Sequence, residues 1–189
     1  MNLEPGKLNN LFLIGYRCTG KTTVGKFLAK NLSWSFFDTD SLVVKQQLMS
    51  INEIVEARGW ESFRQMEHII LKTVCTSKKQ IVATGGGIVL NDKNLVLMKQ
   101  SGRIIWLKAG IETIKTRMLE DEDSRDFRPA LTLDDSISEI EETLQSREPL
   151  YKKAMDIVVE TDDKDIRSIA TIIIDNLSVL QPELFEAHR

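Results

Sequence analysis

Short apolar runs recur along the chain, each closed by polar or glycine-rich residues and most followed by a stretch of helical period. "LFLIG" (11–15), "SFF" (35–37), "QIVAT" (80–84), "RIIWL" (103–107) and "DIVVE" (156–160) read as strands. Strands alternating with helical segments predict an α/β domain built on a mostly parallel sheet. Ligands of such sheets gather at the carboxyl edge, where the first three runs break into polar residues or glycine. A helix is predicted from about Trp60, with Phe63, Met66, Ile70, Leu71 and Val74 as its core face and Arg64 beside that stripe. Residues 113–118 and 137–144 also carry helical spacing. Between them "EDEDSRDFRPAL" is charged, contains a proline and has no period, so 119–131 reads as a mobile loop.

Composition narrows the class without naming an activity. A chain of 189 residues, 42% hydrophobic and 28% charged, suits one soluble domain spanning 1–189. A net charge of -3 gives no support to a nucleic-acid or membrane-surface partner. No run approaches a transmembrane span, and "MNLEPGKLNN" lacks the apolar core of a signal peptide. Cys18 and Cys75 lie far apart, without disulfide-scaffold or metal spacing, so a reducing cytoplasm is expected. His68 and His188 form no triad or metal pattern, and imidazole is not expected to be a catalytic base.

The strongest motif follows the first strand. Residues 15–22, "GYRCTGKT", fit the phosphate-cradle pattern G-x-x-x-x-G-K-[ST], with a strand before and the helical "TVGKFLAKNL" after. Glycines let successive N–H groups turn inward as an anion nest, and the helix adds its own unsatisfied N–H groups. Cys18, Thr19, Gly20, Lys21, Thr22 and Thr23 are therefore expected at a nucleotide, Lys21 at the β- and γ-phosphates and Thr22 on Mg²⁺. "NDKN" at 91–94 fails the guanine motif N-K-x-D, and no glycine has an aspartate three residues before it. A GTPase switch is disfavoured, and a kinase of small molecules fits the size best.

An acceptor side is also visible. Asp38 and Asp40 in "FFDTD" could divide the work of holding Mg²⁺ and contacting an acceptor hydroxyl, the lesser alternative being that Asp40, before "SLVVKQQL", only caps a helix. Gly85, Gly86 and Gly87 suggest close approach of a ligand to bare backbone, or merely a permissive loop. Arg64, Arg128 and Arg147 are informative only if they converge, since lone arginines are usually surface residues.

Together "GYRCTGKTTVGKFLA", "FFDTDSLV", "INEIVEARGWESFRQME", "IVATGGGIV", "RPAL" and "REPLYKKA", in this order, resemble the shikimate kinase family over most of the chain. The resemblance implies a three-layer P-loop fold, a five-stranded parallel sheet ordered 2-3-1-4-5 flanked by helices, and a mobile lid at about 117–130. It implies transfer of the γ-phosphoryl group of ATP to the 3-hydroxyl of shikimate, giving shikimate 3-phosphate and ADP for aromatic amino acid biosynthesis. By matching position, Asp40 would be the base, Arg64 and Arg147 the carboxylate pair, and Gly86 with its neighbours Gly85 and Gly87 the acceptor loop. Thr22 and Asp38 would hold Mg²⁺, Lys21 and Arg128 the phosphates, and Arg117 and Lys164 would lie near the nucleotide. A cytoplasmic monomer is expected. Cys18 departs from the glycine usual in the family loop, and the lid is longer than usual. The rivals are a gluconate-kinase-like enzyme, which would lack the triple glycine with the arginine pair, and a catalytically silent relative that binds shikimate.

Overall fold

The computed structural model describes residues 10–120 and 135–180, including their side chains except those of 135–139. In chain order the elements are β1 (Asn10–Ile14), α1 (Lys21–Leu32), β2 (Ser35–Asp38), α2 (Thr39–Gln47), α3 (Ile51–Val74) and β3 (Gln80–Ala83). A 3₁₀ turn (Ile88–Leu90), α4 (Asp92–Ser101), β4 (Arg103–Lys108), α5 (Ile111–Glu120), α6 (Asp135–Ala154), β5 (Ile157–Glu160) and α7 (Ile166–Leu180) follow. The five strands form one parallel sheet in the order β2-β3-β1-β4-β5.

Position in the sheet accounts for the hydrophobic pattern. Every residue of β1 and β3 is buried, because helices cover both faces of these inner strands. The edge strand β5 alternates buried and exposed residues instead. Side chains of successive strand residues point to opposite faces, so β1 divides its load between two cores. Phe12 and Ile14 join Val82, Ile104 and Trp106 beneath α3, α4 and α6. Leu11 and Leu13 join Ile81, Ile105 and Leu107 beneath α1 and α7. Three layers result.

Three helical expectations need correction. α3 begins not near Trp60 but at Ile51, where Ser50 and Glu53 form a capping box. Gly59, at φ 77 and ψ 166, breaks it just before Trp60, and the predicted helix is its second segment. α4 is not among the predicted helices; Asn91 is its N-cap. α5 runs through Glu120, so residues 117–120 of the expected lid are helical. The remainder of that lid, including Arg128, lies outside the described residues.

Candidate active site

Strand order assembles the site. Because β2, β3 and β1 are neighbours, the carboxyl ends carrying Asp38, the triple glycine and the phosphate cradle lie side by side. Thr84 locks two of these ends together, donating from both its backbone N–H and its hydroxyl to the Leu13 carbonyl, at 3.1 and 3.0 Å.

Within the cradle, Thr19 Oγ1 and Lys21 Nζ both donate to the Tyr16 carbonyl, at 2.9 and 2.5 Å. α1 starts on Gly20 without a side-chain cap and without an acidic residue in its first turn. By contrast, α2, α3 and α4 are capped by Asp38, Ser50 and Asn91. An uncapped N-terminus with no acid beside it keeps its N–H groups and positive dipole end for an anion.

Cys18 adopts φ 59, the left-handed region that costs a residue with a Cβ roughly 1–2 kcal/mol. This gives a physical reason for glycine at that position in related loops. Cys18→Gly is expected to raise unfolding stability by about 1 kcal/mol. Urea denaturation of both proteins measures the difference, and an unchanged or lower midpoint would show that the thiol's contacts outweigh the backbone cost.

The two aspartates occupy different places, and the helix cap falls to the first of them. Asp38, not Asp40, caps α2, accepting from the Ser41 N–H at 3.1 Å through Oδ1. Its Oδ2 accepts from Thr22 Oγ1 at 2.8 Å. A carboxylate oxygen from the end of β2 and an alcohol oxygen from the first turn of α1 are hard donors that fit Mg²⁺, which characteristically takes few protein ligands and completes its shell with phosphate and water. Asp40 lies in the first turn of α2 and lines an adjoining cavity.

That cavity, of about 150 Å³, also brings in Arg64, Arg147 and the three glycines. Arg64 and Arg147, uninformative one by one, do converge, while Arg128 lies outside the described residues. Arg64 stacks over Trp60 and Phe63, its guanidinium carbon 5.3 and 5.2 Å from the ring centres. It also donates to Glu67, whose side chain is wholly buried. A buried carboxylate needs such a partner. The sequence held a signal for it: Glu67 falls on the apolar stripe between Phe63 and Leu71, where a solvated charge has no place.

The glycines serve the protein more than expected. A Cβ on Gly85 would collide with Asp40 and Glu67, and one on Gly87 with the Arg64 guanidinium. Close approach is therefore required by side chains of the site itself. Gly86 has room, its nearest neighbours being cradle backbone at 3.5 Å and beyond. Its carbonyl accepts from the Tyr151 hydroxyl at 2.6 Å and from Arg147 Nη1 at 3.3 Å. Tyr151 is buried against Trp106, and that burial pushes its hydroxyl up to about 12, so it remains a donor at neutral pH. Tyr151 was not anticipated; the helix predicted over 137–144 runs on to Ala154 through Pro149 and so carries "REPLY" within α6.

Arg117, on α5, donates to the Cys18 carbonyl at 3.3 Å and to the Thr161 hydroxyl and carbonyl at 3.2 and 2.8 Å. It ties the cradle to the turn after β5. Lys164 is exposed in that turn, its Nζ 3.5 Å from the Asp162 carbonyl. Neither basic residue lines the acceptor cavity.

Known proteins resemble this chain in sequence and in fold. The sequence pattern of the shikimate kinase family matches residues 17–178. A shikimate kinase of Caldanaerobacter subterraneus subsp. tengcongensis is 41% identical over 167 residues, covering 88% of this chain and 95% of its own. The structure of shikimate kinase from Acinetobacter baumannii in complex with shikimate superposes with a TM-score of 0.85 at 29% identity, covering 93% of this chain and 96% of that one. A gluconokinase from Sinorhizobium meliloti covers 96% of this chain and 98% of its own, but at 14% identity and a TM-score of 0.55 it shares the fold alone. By family pattern, by relatives and by the placement of its motif residues, this chain belongs to the shikimate kinase family.

Proposed function

We propose that the protein transfers the γ-phosphoryl group of ATP to the 3-hydroxyl of shikimate, forming shikimate 3-phosphate and ADP. The observation that carries this is one cavity beside the phosphate cradle in which Asp40 faces the same space as Arg64 and Arg147. Paired guanidiniums offer forked donors to a carboxylate, while an aspartate suits an acceptor hydroxyl. In this reading Arg64 and Arg147 hold the acid, and Asp40 orients the hydroxyl and takes its proton. The cradle amides and Lys21 hold the phosphates. Thr22 and Asp38 would hold Mg²⁺, which when bound neutralises phosphate charge. Phosphoryl transfer needs positioning and charge stabilisation above all, and these groups supply both.

Arg128 is assigned to the phosphates from its "RPAL" motif, and Arg117 and Lys164 to the nucleotide border by matching position in the family. The chain would form one domain in which segment 117–130 covers the nucleotide, acting as a monomer in the cytoplasm. A coupled assay of ADP release with shikimate and with gluconate tests the assignment. Turnover with shikimate alone is expected; turnover with gluconate alone, or with neither, would overturn it.

Arg64→Lys and Arg147→Lys are each expected to weaken shikimate binding by about 1.5–3 kcal/mol, the scale of a charged hydrogen bond. Lysine keeps the charge but loses the fork, and at position 64 it also weakens the grip on Glu67. Calorimetric titration should show ATP affinity nearly unchanged in both. An equal loss for ATP would remove these arginines from the acceptor side.

A further inference from the structure

Arg17 is the third arginine of the acceptor cavity, and neither its motif position nor the carboxylate pair accounts for it. It lines the cavity with Asp40, Arg64 and Arg147, yet belongs to the phosphate cradle. Its backbone N lies 3.6 Å from where a Cβ on Gly86 would stand, so it occupies the seam between cradle and acceptor loop. The other two arginines have protein acceptors: Glu67 for Arg64, and the Gly86 carbonyl for Arg147. Arg17 differs. Its Nε is buried and has no hydrogen-bond partner among the described residues. Its guanidinium carbon lies 5.7 Å from the centre of its neighbour Tyr16's ring, which orients the group without satisfying its N–H donors.

A buried charged donor without an acceptor is costly, and an anion at this seam would relieve it. The shikimate carboxylate is already matched to two guanidiniums. What crosses the seam is the phosphoryl group. The acceptor oxygen bonds to the γ-phosphorus, the bond from phosphorus to the β-phosphate oxygen breaks with its electron pair leaving on ADP, and the hydroxyl proton passes to Asp40. Negative charge thereby moves from the cradle into the cavity.

We propose that Arg17 is a catalytic residue that contacts the phosphoryl group on the acceptor side and retains it in the phosphorylated product. The proposal rests on the reading of this cavity as the shikimate site.

The test compares wild type with Arg17→Ala and Arg17→Lys, each checked for folding by circular dichroism and thermal melting. Shikimate and shikimate 3-phosphate are titrated separately by calorimetry, and kcat and KM are measured with MgATP. In Arg17→Ala, product affinity should fall about tenfold or more while shikimate affinity changes less than about threefold. kcat should fall roughly 10²-fold with little change in KM for shikimate. Arg17→Lys should recover part of both losses, because the charge remains. An equal loss of affinity for shikimate and its 3-phosphate would make Arg17 a carboxylate ligand and overturn the proposal. Unchanged kcat and product affinity would overturn it too, leaving Arg17 a wall residue. If wild type bound neither compound, the shikimate reading would fall along with it.

Discussion

Lys21→Ala is expected to leave a folded protein whose turnover is reduced by roughly 10²–10³-fold. Lys21 opens α1, and its Nζ reaches back to the Tyr16 carbonyl inside the phosphate cradle. In the proposed reading its ammonium faces the phosphates, where charge develops during transfer. Removing one such preorganised donor from a comparable site costs about 3–4 kcal/mol of transition-state stabilisation, which is the stated loss in rate. The fold should survive, because Lys21 is only partly buried and belongs to none of the hydrophobic clusters. Thr19 also continues to bond the Tyr16 carbonyl. Steady-state kinetics beside a thermal melt measures both halves of the expectation. Near-normal turnover in a folded variant would take Lys21 out of the mechanism.

Asp40→Asn should lower kcat by roughly 10²–10⁴-fold, the range for loss of general acid–base help. Asparagine matches the size of aspartate and keeps one acceptor oxygen, but it cannot take the hydroxyl proton. The position is firmly set, so the change should be chemical rather than structural. Asp38 caps α2, and the neighbouring Thr39 hydroxyl accepts from the Gly85 N–H at 3.0 Å. Orientation and proton acceptance can be separated kinetically. If kcat held and only KM for shikimate rose, Asp40 would orient the acceptor without serving as its base.

The phosphate cradle, the five strands and the parallel α/β class were legible in the sequence because each depends on local chemistry. A run of apolar residues, a lysine after a glycine and a proline within a polar stretch constrain the backbone wherever they stand. Helices were less legible. The start of α3 depended on Ser50 and Glu53 capping one another across the helix end, a pairing that apolar periodicity does not report. Glu67 could have been found, since a carboxylate on an apolar stripe must meet a partner, but its partner Arg64 had been set beside the stripe and treated alone.

Sequence by itself thus determined the motif residues, their order along the chain and the family they resemble. Only the tertiary structure decided which of them meet. Setting β3 between β2 and β1 brings Asp38, Gly85 and Gly15 together from three separate stretches of chain. Packing α3 and α6 on one face of the sheet then carries Arg64 and Arg147 into a single cavity. The same packing gave the outer glycines their purpose, room for Asp40, Glu67 and Arg64, and left Arg17 at the seam with a buried donor. Such relations arise between residues distant in sequence, through close packing and the need to satisfy buried charge. No local pattern encodes them.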